Sequence, residues 1–515
     1  MVLLTASVLA SAPVQAAAAS AAAQVPLSFT NPLPGPTLAY EPHVTFKQIQ
    51  DELFMLRSLG FRAIRLPPVN PPGIKMFQGE KVAPENFAFH GVDGIKQGSA
   101  YAIRNPHAIS PVMAGLVDPA AYLAHPDQLT LFSDEAEKRF RDLVQSAARL
   151  GIQITCDLVL NHVSRDIEEE FTQQFGKDAL LHNELDDGND ANDNWIDVVP
   201  LNHSGPAGNA LLAYHLGAYE LLARHGVGVF RIDAASFIPK DYLTRFIAGA
   251  KHLAEQKGYL APLFFGETLG KGTSPSDIIA AGCVGATTSF AWWDIFKNSA
   301  SDWALPQYEH LRTAGGIAVN FASTHDTHTM AHWHTGTQDF LRTLILSFLW
   351  PGDVFVQRTT LDLNTQQPPH FLRDIGHPDL QPKPDPSASK ITYARALIKK
   401  LADLYNRFKI FSAPAHVTET HLSSGIRVLT LNTPTEEALI VMNTSDNDVN
   451  YQIPPLYQQK GTNGANANMI WANNDYWGTV HDDIPLHDFK LSRGGVAVFH
   501  RTRKQGEVAS IPGYN

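Results

Sequence analysis

The sequence predicts an α/β protein: a (β/α)8 TIM barrel followed by a C-terminal antiparallel β-sandwich domain. Three observations predict it. From Pro42 to about Phe408, β-prone runs alternate with helix-patterned segments, to a count of about eight units. Polar residues gather where four of those runs end, and that is where a βα barrel carries its chemistry. After Phe408 the alternation stops, and short strand-like runs separated by Asn-, Gly- and Pro-rich turns take over. No GxGxxG follows the first run, which argues against an open doubly wound sheet, and no internal repeat is evident.

In chain order, the N-terminus MVLLTASVLASAPVQAAAAS joins an apolar stretch to a small-residue, A-x-A-like site at Val14 to Ala17. It resembles a secretory leader that lacks the positively charged n-region. Residues 1–24 are expected to be that leader and residues 25–408 the barrel, with an inserted loop region at about 163–205 after the third strand. Residues 409–515 are expected to form the β domain, and the expected location is periplasmic or secreted.

A helical run at Phe46–Leu59 precedes the strand-like FRAIRL, taken as the first strand, and SAYAI (Ser99–Ile103) is taken as the second. Asp134–Leu150 has apolar residues at helical spacing and is stopped by Gly151. IQITCDLVL follows, then an Asp/Asn-rich stretch to about Asn202. Ala210–His225 reads as helix ended by Gly226, then come GVGVFRID, the helix Asp241–Lys257 and PLFFGE. GATTSFAW, GIAVNFAS and DVFVQ complete the strand-like runs, and Ile391–Phe408 reads as helix. Beyond it GIRVLTLN, EALIVMN and GGVAVFH read as antiparallel strands.

Bulk properties exclude several function classes. The chain has 515 residues, 44% hydrophobic and 18% charged, which is an ordinary globular balance. A net charge of −11 argues against nucleic acid as the main partner. The 22 histidines show no HExxH or similar metal spacing, so no metal site is assigned from them. Cys156 and Cys283 are expected to be free buried thiols. No later apolar stretch is long enough to span a membrane. Oligomeric state is not legible.

The stretch GVGVFRIDAAS (Gly226–Ser236) concentrates the functional signal. Strand alternation puts Arg231 and Asp233 on one side, and two charges on the inner face of a strand are costly unless paired. IQITCDLVLNH likewise ends in Asn161 and His162 after Asp157. PLFFGE ends in Glu267, and GIAVNFASTHD ends in His325 and Asp326. Three acids, two histidines and an arginine at one barrel end are hard to assign to helix capping alone.

These runs closely resemble the four ordered signatures of the α-amylase superfamily, glycoside hydrolase family 13: DLVLNH, FRIDAASFIPK, FFGE and FASTHD. The resemblance covers roughly residues 40–510, since that family also carries a C-terminal β domain. It implies that Asp233 is a nucleophile kept ionised by Arg231 and that Glu267 is the general acid, later the base. Asp326 would then bind sugar hydroxyls and favour ring distortion. His162 and His325 resemble the hydroxyl-binding histidines, and Tyr101 the tyrosine that stacks on the cleaved sugar. Trp292, Trp293 and Trp333 are candidates for outer sugar subsites, and Phe264 and Phe265 for excluding water. Two carboxylates in these roles make a retaining mechanism through a covalent glycosyl-enzyme.

The implied substrate is an α-glucan or oligosaccharide, acted on by hydrolysis or transglycosylation. No cofactor is required by the signatures. Many relatives bind Ca²⁺ through the signature Asn (here Asn161) and a long loop; the acidic Asp186–Trp195 stretch is read as a solvated loop, with Ca²⁺ ligation through its oxygens as the alternative. LPPVNPPGIKMFQGEK (Leu66–Lys81) resembles the loop of the family's maltose 1-phosphate transferases, where Lys75 and Lys81, by default solvated charges, would meet phosphate, although the fourth signature here keeps His325-Asp326, where those transferases depart from it. Lys240, set well after the acid, looks more like the sucrose-active and α-1,6-active branches. A phosphate-using glucosyl or maltosyl transferase or phosphorylase is therefore the alternative function, and a non-catalytic glycan-binding protein is the remote one.

Overall fold

The computed structural model describes residues 33, 35–74, 98–126, 131–181, 197–268, 273–287, 304–324, 337–362, 388–422, 425–445, 447–451, 469–473, 480–481 and 489–503. Eight strands close into a barrel: β1 (Thr37–Ala39), β2 (Ala63–Leu66), β3 (Gln153–Val159), β4 (Val229–Asp233), β5 (Leu263–Gly266), β6 (Gly285–Thr287), β7 (Ile317–Phe321) and β8 (Asp353–Gln357). Every neighbouring pair is parallel, and β1 pairs with both β2 and β8 to close the ring.

The eight-fold count holds with a different membership. SAYAI is not a barrel strand. Its chain turns on itself, with Ala102 N–H bonded to the Ser99 carbonyl and Ile103 N–H to that of Tyr101, and it touches Pro72 through a lone bridge. The first strand is TLA at residues 37–39. Three residues behind Pro34 and Pro36 are too short to show a period, whereas SAYAI carries apolar content without the pairing partners of a strand.

Alternation sorts the barrel side chains into two sets. Val229, Phe265, Ile317, Val319, Phe321 and Phe355 fill the interior, with Phe321 and Phe355 stacked at 5.0 Å. The outward set, including Ile64, Cys156, Phe230, Ile232 and Phe264, packs under the surrounding helices. Because both faces are buried, the strands read as nearly continuous apolar runs. Interior positions then turn polar toward the strands' C-terminal ends: Arg65, Asp157, Arg231, Asp233 and Glu267 are all buried.

Between β3 and the helix Gly208–Ala223, strands His162–Ser164 and Val198–Pro200 pair antiparallel beside the barrel mouth. The long helix Ala388–Arg407 leads to an antiparallel six-stranded sheet. Its strands are His416–Leu422, Ile426–Asn432, Glu436–Asn443, Val496–Thr502, Met469–Asn473 and Val480–His481, in spatial order. One face (Leu429, Leu431, Ile440, Val498) joins the barrel's outer core. The other (Ile426, Val428, Val441, Phe499) forms a second core with Tyr451 and Leu491, which belong to a paired two-stranded sheet. Cys156 and Cys283 are free and buried.

Candidate active site

The site is built on neighbouring strands. Asp157 of β3 is in register with Arg231 of β4, and Ile232 of β4 with Gly266 of β5. Glu267 extends that ladder, its N–H bonding the Ile232 carbonyl at 3.0 Å. Asp233 and Glu267 therefore occupy adjacent inward positions at the ends of adjacent strands.

One guanidinium joins them. Arg231 Nη1 donates to Asp233 Oδ1 at 3.1 Å and to Asp157 Oδ2 at 2.6 Å, while Nη2 contacts Glu267 Oε1. The second Glu267 oxygen, Oε2, accepts the Ala234 backbone N–H at 2.9 Å. Ala234 has φ 47°, ψ 35°, left-handed for a residue with a Cβ. This kink swings the N–H back toward β5 and starts the short 3-10 turn Ala235–Phe237, whose Ser236 N–H caps the Glu267 carbonyl at 3.2 Å. Gly266 permits the close approach: a Cβ there would lie 2.7 Å from Ile278 Cγ2 and 3.0 Å from Ala235 Cβ.

Exposure separates the three carboxylates by what each can touch. Asp233 and Glu267 keep 6% and 9% of their surface, whereas Asp157 keeps 0%. Asp157 is thus an internal counter-ion. Burial alone would raise its carboxyl, but Arg231 and Arg65 outweigh that and hold it below the usual carboxylate range. Arg231, for which burial works the other way, is held firmly protonated by Asp157, Glu267 and Asp233. Two arginines face three carboxylates here, so one proton among the carboxylates makes the cluster neutral, which suits a site that needs an acid and a base.

Tyr101 lies across this cluster. Its hydroxyl donates to Asp157 Oδ2 at 2.8 Å and accepts from Arg65 Nη2 at 3.1 Å, and its ring centroid is 6.0 Å from the Arg231 guanidinium carbon. His162 Nε2 donates to the Tyr101 carbonyl at 3.1 Å, so the ring is tied to the same loop. Burial pushes its pKa down to about 4, and it is neutral at ordinary pH.

No family model matches the sequence. Among curated proteins, the α-1,4-glucan:maltose-1-phosphate maltosyltransferase of Myxococcus xanthus is 24% identical over 267 residues, a match covering 51% of this chain and 35% of that protein. The chain thus spans about a third of the curated relative it matches. An α-amylase from Lactobacillus plantarum superposes with a TM-score of 0.64 at 16% identity, covering 90% of this chain and 98% of that one. Amy13B of Eubacterium rectale gives 0.63 at 13%, covering 91% and 96%. An α-amylase from Geobacillus thermoleovorans complexed with acarbose gives 0.61 at 15%, covering 91% and 98%.

The chain has the fold of these α-amylases.

Within this amylase fold the sequence-expected residues divide in two. Tyr101, His162, Arg231, Asp233 and Glu267 converge at one barrel mouth. His325, Asp326, Trp292, Trp293, Trp333, Lys75, Lys81 and the Asp186–Trp195 stretch lie outside the described residues. Lys240 is an exposed partner of Asp277 at 2.9 Å, at the start of the helix Lys240–Lys257. Phe264 is corrected: it faces outward and packs on Phe230, Tyr219 and Phe246, away from the mouth. The alternation of β5 requires this, since Phe265 and Glu267 take the inward side. Asn161 is buried at the end of β3, its carbonyl accepting the Leu201 N–H at 2.9 Å. Among the described residues, no group of three or more His, Cys, Asp or Glu side chains converges as a metal ion would need. Among them, too, no helix is long and apolar enough to cross a membrane.

Sequence reasoning missed Arg65. It is the inward residue of FRAIRL, and the rule that flags Arg231, a charge on the inner face of an apolar strand, flags Arg65 equally.

Proposed function

We propose that this chain is a retaining α-glucoside-active enzyme of the α-amylase superfamily, a hydrolase or transglycosylase of α-glucan or oligosaccharide. The observation that carries this reading is the shared grip of Arg231 on Asp233 and Glu267 at adjacent strand ends. Two carboxylates within reach of one guanidinium suit the short separation of retention, about 5–5.5 Å, rather than the wider gap that admits a water for inversion. Asp233 attacks the anomeric carbon while Glu267 protonates the leaving oxygen. An acceptor hydroxyl, deprotonated by Glu267, then discharges the glycosyl-enzyme. Tyr101 offers its ring face to the sugar, while His162, His325 and Asp326 bind its hydroxyls.

The test is a panel of α-1,4, α-1,6 and cyclic glucans plus sucrose, with and without phosphate, followed by anomer-resolved NMR. Net retention, lost in Asp233→Ala and Glu267→Gln with the fold intact, is the expected result. Inversion, or normal turnover by Asp233→Ala, would overturn it.

A second reading is transfer from a sugar 1-phosphate. It is favoured by the match to the maltosyltransferase and by the sequence LPPVNPPGIKMFQGEK at Leu66–Lys81. Phosphate-dependent formation of a sugar 1-phosphate in the same panel selects it. We also propose export, supported by the leader-like residues 1–24. Intact-mass analysis of secreted or periplasmic protein should show that segment removed, and a retained Met1 would argue against it. A bound Ca²⁺ on the Asp186–Trp195 stretch is a weaker part of the proposal. A chelator that leaves activity and stability unchanged would exclude a functional role for it.

A further inference from the structure

Arg65 is a charged residue on the inner face of a four-residue strand, and it is 2% exposed. Such a placement is sustained only by full pairing. Its guanidinium forks onto Asp157, Nε to Oδ1 at 2.8 Å and Nη2 to Oδ2, and Nη2 also reaches the Tyr101 hydroxyl at 3.1 Å. The Phe355 ring lies behind it, its centroid 5.5 Å from the guanidinium carbon, which fixes the plane of the fork.

The consequence runs through Asp157. Its Oδ2 already takes donors from Arg65, Tyr101 and Arg231. With Arg65 filling the fork, Arg231 can give Asp157 only one nitrogen and keeps the other for Glu267. Without Arg65, the buried carboxylate would be free to draw the whole Arg231 fork, since bidentate pairing is the stronger arrangement. We propose that Arg65 is a positioning residue of this site: it occupies Asp157 and holds Tyr101, leaving Arg231 to bridge Asp233 and Glu267, and it adds a second buried positive charge to the cluster that contains them. This rests on the catalytic roles proposed above.

The charged and titratable groups gathered with the two acids are Arg231 (β4), Asp157 (β3), His162 (just after β3, its neutral ring tied to the Tyr101 carbonyl), Tyr101 (after β2) and Arg65 (β2), among the described residues. Thr287 of β6, Phe321 of β7 and Phe355 of β8 carry no charge, and Glu41 beyond β1 is turned onto the Thr359 N–H at 2.8 Å. Removing the Arg65 charge leaves the carboxylates of the cluster with one positive charge fewer, which disfavours their ionised forms. The acid and alkaline limbs of kcat/KM should both move up.

The experiment is the pH profile of kcat and kcat/KM for the wild type, Arg65→Met and Arg65→Lys on whichever α-glucoside the panel identifies. For Arg65→Met we expect kcat to fall roughly 10- to 100-fold through misplacement of Arg231. Both limbs should rise by about one pH unit, the scale of removing one charge from a shared buried cluster. Arg65→Lys should return the limbs to their wild-type positions while kcat stays depressed, because an ammonium restores charge but not the fork. Unmoved limbs in Arg65→Met would overturn the proposal, as would full wild-type kcat in that variant. If Arg65→Met does not fold, Arg65→Gln replaces it under the same criteria. If the wild type turns over no α-glucoside, the catalytic reading fails on its own, and Arg65 is judged by the Arg65→Met or Arg65→Gln crystal structure. There Arg231 forked onto Asp157 and withdrawn from Glu267 supports it, and an unmoved Arg231 overturns it.

Discussion

The Ala234 backbone N–H donates to Glu267 Oε2 at 2.9 Å from a residue held at φ 47°. The residue that follows the candidate nucleophile thus orients the candidate acid. Left-handed backbone at a residue with a Cβ costs on the order of 1 kcal/mol, and it persists here because the turn after β4 is held on several sides. Ala234→Gly removes that strain and should leave turnover near wild type. Ala234→Val adds a branched side chain at positive φ, and should lower kcat more than it changes KM. Equal kinetics for the two variants, measured on one glucan at fixed pH, would refute the link between this kink and the acid.

Gly266 makes a steric prediction. An added Cβ collides with Ile278 and Ala235, which belong to the wall and the turn that support Glu267. Gly266→Ala should destabilise the protein by about 1–3 kcal/mol, the usual cost of overpacking, and reduce kcat through displacement of Glu267. Chemical denaturation alongside steady-state kinetics checks both. A fully active variant of unchanged stability would show that the wall yields freely.

Asp157→Asn tests the internal counter-ion. It leaves Arg65 and Arg231 buried against each other with their shared carboxylate gone, and breaking a buried ion cluster this way costs about 3–5 kcal/mol. The midpoint of urea unfolding should fall accordingly. Adding Arg65→Met to Asp157→Asn should recover part of the loss, because one uncompensated charge is removed. Strict additivity of the two substitutions would contradict the coupling.

Acid stability follows from buried neutral histidines. Burial lowers His162 and His203 to about 4 from 6.5, and sends His215 down as well. The unfolded chain takes up these protons near pH 6.5 and the folded chain does not, so stability is lost as pH falls from about 6.5 to about 4. Each of the first two contributes about 3 kcal/mol across that window. Asp353 opposes them: burial raises it to about 7, so the folded state keeps a proton that the unfolded state releases, and this term gains as pH falls. At about 3 kcal/mol over the same window it offsets roughly one histidine; buried Glu41, raised in the same way, acts with it, while His215 and His225, lowered by burial, act with His162 and His203, and a net loss remains. Tm should drop between pH 6.5 and 4, and His203→Gln should flatten the slope. A Tm that is level or rising toward pH 4 would refute this assignment.

Much of this was legible in the sequence for a physical reason. A charge on an inward strand position is expensive, so Arg231, Asp233 and Glu267 announce a site before any coordinates exist. DVFVQ and IQITCDLV likewise declare their strands, because β-branched and other apolar residues dominate both runs. What was illegible depended on partners remote in sequence. TLA at 37–39 is a strand only because β2 and β8 flank it, and SAYAI fails to be one because no edge is open to it. Phe264 and Phe265 are chemically equivalent in the sequence, and only strand phase sends one to the helices and the other into the barrel. Arg65 was readable by the logic applied to Arg231, but its partner Asp157 lies 92 residues away.

The placement of Asp233 and Glu267 on neighbouring rungs of one parallel ladder has an evolutionary consequence. Their spacing is inherited from interstrand hydrogen bonding, about 4.8 Å per strand, and is not negotiated by any loop. The connections around the rim can therefore be lengthened, shortened or exchanged while the separation of the two carboxylates is kept.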